Sequence, residues 1–278
     1  MGKAPDLIES ARNRRIQGIL RLHNRRFRDK ERRFLVEGAR EISRAIQAGH
    51  NPIEIFFCSK VCSPTAATLA IELFASNTKC FRVSEQVFSR ISIRQNPDGI
   101  VAAMASWNSS LADLNKAKLS LILVIHGLEK PGNVGALLRT ADSVGIDAVI
   151  LTGEGTDLFN PNVVRASMGS LFTTRVLQED SYKVQEFLAV KGISVVAATP
   201  HASQPHWEPS FLEPMALVVG SEDTGLDNTW LERAETLIQI PMHGSADSLN
   251  VATSGAVILY EILRQRTAQY YSTGQKGY

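Results

Sequence analysis

The sequence predicts an α/β protein with two domains, a C-terminal domain built on a parallel sheet and a smaller α/β domain before it. Short apolar segments that are typical of strands alternate with helical segments along most of the 278 residues. A polar stretch without periodicity, residues 106–118, separates two such series. We therefore assign residues 1–106 to the first domain, 107–118 to a linker and 119–278 to the second domain.

The elements of the first domain follow one another in strand–helix order. Residues 38–48 predict an amphipathic helix because Ile42, Ala45 and Ile46 fall on one face, and Gly49 ends it. The other predicted elements are strands at 34–36, 53–57, 81–83 and 99–105 and helices at 65–75 and 85–91. This order favours a compact sheet covered by helices.

The second domain opens with a nearly continuous apolar run at 119–125, which is typical of a central parallel strand buried on both faces. Three further strands are predicted at 148–151, 194–198 and 216–219, and helices at 135–144, 182–191 and, after the segment 238–240, at 249–269. The pattern indicates a doubly wound α/β domain.

Positive charge is concentrated at the N-terminus. Residues 1–50 carry a net charge of +7, whereas the rest of the chain sums to −5. Much of the excess lies in what we call the basic cluster, formed by Arg25, Arg26, Arg28, Lys30, Arg32 and Arg33. Such a cluster can exchange counter-ions for the phosphates of RNA. The alternative is a solvated basic helix or turn without a partner.

The composition and the cysteines exclude several classes of protein. With 44% hydrophobic and 21% charged residues the chain is typical of globular proteins, and it contains no apolar run near the roughly 18–20 residues that span a bilayer. The polar residues 1–15 lack the apolar stretch of a secretory signal, so we expect a cytoplasmic protein. Cys58, Cys62 and Cys80 are odd in number and lack a second ligand pair, which predicts reduced structural thiols and no metal site.

Three polar, glycine-bearing loops follow apolar strands, where ligands of parallel α/β sheets collect. The first loop, 126–141, has Gly132 and Gly135 for tight turns, and Asn133 and Arg139 as polar groups. It matches neither the dinucleotide-binding fingerprint nor the phosphate-binding loop of nucleotide hydrolases.

In the second loop, 219–226, Gly220 and Gly225 bracket the acidic Glu222. A side chain at Gly220 is expected to intrude on a bound ligand. The third loop, 240–251, places Ser248 and Asn250 near the start of the last helix. There they either serve a ligand or cap the helix.

Together, and in this order and spacing, segments 131–139, 220–226 and 240–251 resemble the three motifs of the SpoU (TrmH-like) family of RNA ribose methyltransferases, within the SPOUT superfamily. The resemblance covers residues 119–266. The basic first domain is similar to the L30e-like substrate-binding domain of many members. One departure is Lys130-Pro131, where many members have Asp-Pro, and it bears on substrate choice.

The resemblance implies a deep trefoil knot, a homodimer and S-adenosylmethionine as the cofactor. Carried over by position, the implied cofactor-binding residues are Thr199, Gly220, Ser221, Glu222, Gly225, Ile240, Met242, Ser248, Leu249 and Asn250. The family gives the central catalytic role to the arginine that matches Arg139.

The implied reaction is methylation of a ribose 2′-hydroxyl. Arginine is almost always protonated, so we expect Arg139 to orient the substrate and support charge while another group or water takes the proton. The residues expected to hold Arg139, the ribose and the cofactor loops in place are Asn133, Glu222, Ser248 and Asn250. No histidine forms a recognisable Ser/His/Asp set, and His126 and His243 have no evident partner.

We expect 23S ribosomal RNA of the large subunit, bound by the basic cluster or through Arg165. Transfer RNA and a non-catalytic RNA-binding protein of the same fold are the alternatives. An NAD-dependent dehydrogenase is disfavoured because its glycine fingerprint and acidic partner are missing.

Overall fold

A computed structural model describes residues 7–76, 78–221 and 225–272. Its strands are β1 (Leu7–Ile8), β2 (Arg33–Glu37), β3 (Pro52–Phe57), β4 (Lys79–Val83), β5 (Ile100–Ala105), β6 (Leu121–His126), β7 (Ala148–Thr152), β8 (Val176–Gln178), β9 (Ser194–Ala198), β10 (Gln204–Pro205), β11 (Met215–Val219) and β12 (Thr236–Gln239). Its helices are α1 (Arg14–Arg21), α2 (Arg25–Glu31), α3 (Ala39–Gln47), α4 (Pro64–Ala75), α5 (Glu85–Ile91), α6 (Leu111–Leu114), α7 (Pro131–Ser143), α8 (Pro161–Ser167), α9 (Ser170–Thr173), α10 (Ser181–Lys191), α11 (Asn228–Arg233) and α12 (Val251–Ser272). Within the described ranges, no helix has the length and apolar character needed to cross a membrane.

The chain divides into two compact units. The first joins residues 1–107 with 157–173, and the second joins 108–156 with 174–278. These units differ from the expected division in two places, because residues 108–118 of the expected linker belong to the second unit and 157–173 belongs to the first. The physical reason is packing: α8, within this segment, lies against β2, and the ring of Phe159 is 4.7 Å from that of Phe34.

The first unit contains a five-stranded mixed sheet in the order β1-β4-β3-β5-β2. Strand β5 runs antiparallel to both neighbours, whereas β1, β4 and β3 are parallel to one another. The core against this sheet includes Ile16 and Ile19 of α1 and Val87 and Phe88 of α5. The prediction of an α/β domain with helices covering its sheet is confirmed.

The second unit contains a seven-stranded parallel sheet in the order β10-β12-β9-β11-β6-β7-β8. Ile122, Val124 and Val218 of the central strands β6 and β11 are fully buried, and Trp230 of α11 packs into the same core. The predicted parallel-sheet domain is confirmed. Because the strands are parallel, the loops after them emerge at one edge of the sheet, where the three polar loops begin.

The two helices that follow these loops begin where local chemistry places them. Helix α7 starts at Pro131, four residues before the predicted start at 135, because proline suits the first position of a helix. Helix α12 starts at Val251, since the side-chain oxygen of Asn250 accepts a hydrogen bond from the Ala252 N–H at 3.0 Å and caps the helix.

Candidate functional site

A pocket of about 290 Å³ lies at the carboxyl ends of β9, β11 and β12, which are neighbours in the sheet of the second unit. The predicted cofactor residues that line it are Thr199, Gly220, Ser221, Gly225, Ile240, Met242, Ser248 and Leu249. They come from the segment after β9, the second loop and the third loop. The structure thus brings together residues up to 50 positions apart in the sequence.

Other lining residues were not predicted from the sequence. The apolar ones include Leu226, Leu231, Ile238 and Ile258. The polar ones include His201, Gln239 and Asp247. Leu226 and Asp247 lie within the second and third loops themselves. His201, Ile238 and Gln239 lie within two positions of a predicted residue, whereas Leu231 and Ile258 lie on helices and could not be found by extending a motif.

The second loop folds back on itself where Gly220 meets Gly225. A Cβ atom at Gly220 would lie 2.5 Å from the carbonyl oxygen of Gly225 and 2.8 Å from the nitrogen of Leu226. The Gly225 N–H donates to the Ser221 carbonyl at 3.0 Å, and Gly225 has a φ of +67°, which favours glycine. We expected a side chain at position 220 to intrude on a bound ligand. This expectation is wrong in part, because such a side chain would first collide with the backbone of the second loop itself.

Glu222 lies outside the described residues, as do its neighbours at 223 and 224. Its assignment to the cofactor site and to catalysis stays a prediction.

The first and third loops meet through two amides. The Asn250 Nδ2 donates to the Asn133 Oδ1 at 3.2 Å. Helices α12 and α7 pack closely behind this contact, because Gly255 faces Leu137, whose Cδ2 would be 2.5 Å from an added Cβ. The contact brings together two predicted catalytic residues that are 117 positions apart.

Ser248 and Arg139 are both exposed. Ser248 lines the pocket, and among the described residues its side chain makes no capping hydrogen bond, so the capping alternative applies to Asn250 instead. Arg139 projects from α7, the helix that carries Asn133, and it is not among the pocket's lining residues. The position of Arg139 outside the pocket agrees with a residue that contacts the substrate and does not contact the cofactor.

His126 has partners, so the expectation that it has none is wrong. Its Nε2 lies 3.1 Å from the Asp227 Oδ2, and its Nδ1 accepts a hydrogen bond from the Trp230 indole N–H at 3.2 Å. An indole nitrogen can only donate, so Nδ1 is the acceptor and the Nε2 proton points to Asp227. The contact ties the end of β6 to the start of α11, immediately after the second loop.

Asp227 caps α11, accepting hydrogen bonds from the Trp230 N–H at 3.0 Å and the Thr229 hydroxyl at 2.7 Å. Partial burial would raise the pKa of Asp227, but these hydrogen bonds and the nearby His126 outweigh it and lower that pKa. The sequence held a signal for this cap, because aspartate is a favoured residue before a helix.

In the first unit, the structure contradicts the assignment of Arg28 to RNA. Its side chain is only 3% exposed and forms a two-pronged ion pair with Asp157, with Nη2–Oδ2 at 2.6 Å and Nε–Oδ1 at 3.2 Å. Its Nη1 donates to the carbonyls of Leu22 and His23 at 2.8 and 2.9 Å. Arg28 is therefore a structural residue that joins α2 to the segment 157–173.

The rest of the basic cluster differs in accessibility. Arg33 is 25% exposed and pairs with the buried Glu54, which leaves it poorly placed for a phosphate. The cluster arginines that are exposed are Arg25, Arg26 and Arg32. Of these, Arg25 lies 3.8 Å from Asp29, an exposed pair that competes only weakly with another anion.

Cys58, Cys62 and Cys80 are free thiols. Burial raises the pKa of Cys80 to about 11 and also raises that of Cys62. Among the described residues, no three His, Cys, Asp or Glu side chains are grouped to hold a metal ion.

Comparisons with known proteins give the family. The model of the SpoU rRNA methylase family matches residues 120–260, and that of the MRM3-like substrate binding domain matches residues 13–102. The 23S rRNA (guanosine(2553)-2'-O)-methyltransferase RlmP of Bacillus subtilis (strain 168) is 31% identical over 256 residues, which are 92% of this chain and 98% of that protein.

Two solved structures agree in fold. The crystal structure of an RNA 2'-O ribose methyltransferase is 41% identical in sequence, with a TM-score of 0.83, and the match covers 94% of this chain and 100% of that chain. The AdoMet-bound rRNA methyltransferase from Sinorhizobium meliloti is 29% identical, with a TM-score of 0.83, and the match covers 93% of this chain and 97% of that one. With these matches, the chain belongs to the SpoU rRNA methylase family.

Proposed function

We propose that the chain is an S-adenosylmethionine-dependent methyltransferase that methylates a ribose 2′-hydroxyl in 23S ribosomal RNA. The observation that carries this proposal is the convergence of three motifs in one site, with the second and third loops lining a pocket and the first joined to the third through Asn133 and Asn250. The relative RlmP is named for this reaction on 23S rRNA, and the matching family is described as an rRNA methylase family.

The pocket fits S-adenosylmethionine in its chemistry. Leu226, Ile238 and Ile258 give an apolar wall suited to an adenine ring, and Asp247 and Ser248 give polar groups at its rim. The rRNA methyltransferase from Sinorhizobium meliloti, a structural neighbour, is AdoMet-bound.

When bound, the cofactor supplies a methyl group attached to a sulfonium. The protein's task is to present a ribose hydroxyl in line with that group and to ease the loss of its proton. Because an arginine side chain is almost always protonated, Arg139 would hold an RNA phosphate beside the reacting ribose and support the developing negative charge, while the proton leaves to water or a neighbouring group. The Asn133–Asn250 contact fixes α7, and with it Arg139, relative to the third loop.

We also propose a homodimer and a deep trefoil knot. The exposed Val257 and Tyr260 on α12 support the dimer, since a partner would cover them. After β12 the chain returns so that α12 packs on α7, which supports the knot, as does the resemblance of the three motifs to those of the SpoU family. Because its proposed substrate is ribosomal RNA, we place the enzyme in the cytoplasm.

Mapping of 2′-O-methyl groups in total RNA, with and without the gene, tests the function. One 23S rRNA nucleotide should lose its methyl group when the gene is absent. Loss at a transfer RNA position would favour the tRNA alternative, and no loss at any position would favour a non-catalytic RNA-binding protein.

A further inference from the structure

A second polar depression lies entirely within the first unit. It encloses about 620 Å³, in the range of sites that hold drug-sized ligands, roughly 300–1,000 Å³. We call it the arginine groove, and its lining residues are Arg40, Glu41, Ile93, Arg94, Gln95, Asn96 and Arg165. They come from α3, the loop after α5, and α8, and none belongs to the basic cluster.

A buried carboxylate organises one wall of the groove. Glu41 is 1% exposed and lies 2.8 Å from the Arg40 Nη2 and 3.0 Å from the Arg94 Nη2. Arg94 also donates to the Glu37 carbonyl at 2.9 Å. The backbone N–H of Ile93 donates to the Glu37 carboxylate at 2.8 Å, so the loop after α5 is held against the end of β2.

The groove presents more positive than negative charge. Its three arginines face the single carboxylate of Glu41, and that carboxylate is already shared between Arg40 and Arg94. Arg165 is exposed, and within the described residues its guanidinium has no ion pair or hydrogen bond. The buried Nε of Arg94 likewise lacks an acceptor among the described residues, a donor that a bound group could satisfy.

The side chains match the chemistry of unpaired RNA. Guanidinium groups bind phosphate oxygens in pairs, and the amides of Gln95 and Asn96 can donate to and accept from the edge of an exposed base. Both amide residues are exposed on a loop that Glu37 and Arg94 hold in place. A cationic groove with amides at its rim suits a nucleotide strand better than a small anion, which would not fill it.

We propose that the arginine groove is an RNA-recognition site of the first unit that takes an unpaired segment of the substrate RNA. Arg40 and Arg165 contact its phosphates, and Gln95 and Asn96 read a base. This inference rests on the proposed function for the identity of the ligand. It moves the main RNA contact away from the basic cluster, where Arg28 is buried and Arg33 is paired.

The test is filter binding of the full chain to in vitro transcribed 23S rRNA at several salt concentrations. Arg165→Ala should weaken binding about tenfold and reduce the steepness of the log–log salt dependence by about 0.7, the value for one phosphate on a single strand. Arg165 has no partner among the described residues, so its removal leaves the fold intact. Asn96→Ala should weaken binding while leaving the salt dependence unchanged.

The matched control is Arg90→Ala, an exposed arginine of the same unit that does not line the groove. It removes the same charge and should leave affinity and salt dependence at wild-type values. Equal RNA binding by Arg165→Ala and wild type would overturn the inference, as would an equal loss in Arg90→Ala. Methyl transfer by the wild type is measured separately, so a failure of the proposed function is distinguished from a failure of the groove.

Discussion

Replacing Arg28 with methionine removes a buried charge while keeping most of the side chain's length. In the structure the Arg28 guanidinium contacts both carboxylate oxygens of Asp157 and two backbone carbonyls. The Asp157 side chain is itself only 10% exposed. The substitution therefore leaves the Asp157 carboxylate and the carbonyls of Leu22 and His23 without the hydrogen bonds of Arg28, at a site that is largely shielded from water.

The expected cost follows from that geometry. Removing one partner of a buried ion pair destabilises a protein by about 3–5 kcal/mol, because the remaining charge stays buried without compensation. For a domain of this size, that loss lowers the melting temperature by about 10–20 °C. Replacing both partners, as in Arg28→Met with Asp157→Leu, removes the stranded charge and should cost less than the Arg28 change alone.

Thermal unfolding followed by circular dichroism measures these differences. Arg26→Ala, on the same helix but exposed, is the control and should change stability by less than about 0.5 kcal/mol. The four proteins of the Arg28–Asp157 cycle should show a coupling of about 2–3 kcal/mol. A loss below about 1 kcal/mol for Arg28→Met, or costs that simply add, would refute the structural role of this pair.

Three further predictions concern the site and the thiols. Gly220→Ala should abolish S-adenosylmethionine binding in calorimetry, because the added Cβ would collide with the backbone of Gly225. The control Gly244→Ala, which has open space around the added Cβ, should bind the cofactor normally. Equal affinities of the two variants would contradict the pocket assignment. Arg139→Ala should lose nearly all methyl transfer to RNA yet keep its cofactor affinity, and turnover within a few-fold of wild type would exclude its proposed role. Because burial raises the pKa of Cys80 to about 11, the folded protein favours the neutral thiol. The free energy of unfolding should therefore be unaffected by this thiol below about pH 9 and should fall as the pH rises toward 11. In the native protein, Cys80 should resist iodoacetamide at pH 8 until the chain is unfolded. Rapid labelling in the native state would contradict this.

The sequence was most informative where local pattern decides structure. Helix α5 and strand β9 have the predicted bounds, because a run of buried apolar residues or a helical face is visible within a few positions. Strands β1 and β10 have two residues each, too few for any period to emerge. The three loops were found because glycine and polar residues after buried strands are a local signal, and the fold then brought them to one edge of the sheet.

Contacts between distant residues could not be read from the sequence. Arg28 looked like its exposed neighbours in the basic cluster, and only the tertiary fold places Asp157 beside it, 129 positions away. His126 lacked a partner in the sequence for the same reason, since Trp230 lies 104 positions on. The membership of 157–173 in the first unit likewise depends on packing, because in the sequence this segment lies between two strands of the second unit, β7 and β8.

The most direct test of the central claim is transfer of the labelled methyl group of S-adenosylmethionine to protein-free 23S rRNA, followed by digestion to nucleosides. We expect the label in a single 2′-O-methylated nucleoside, and the phosphodiester bond on the 3′ side of that nucleoside should resist alkaline cleavage. Label in a base-methylated nucleoside, or no label in RNA from a protein that binds the cofactor, would contradict it.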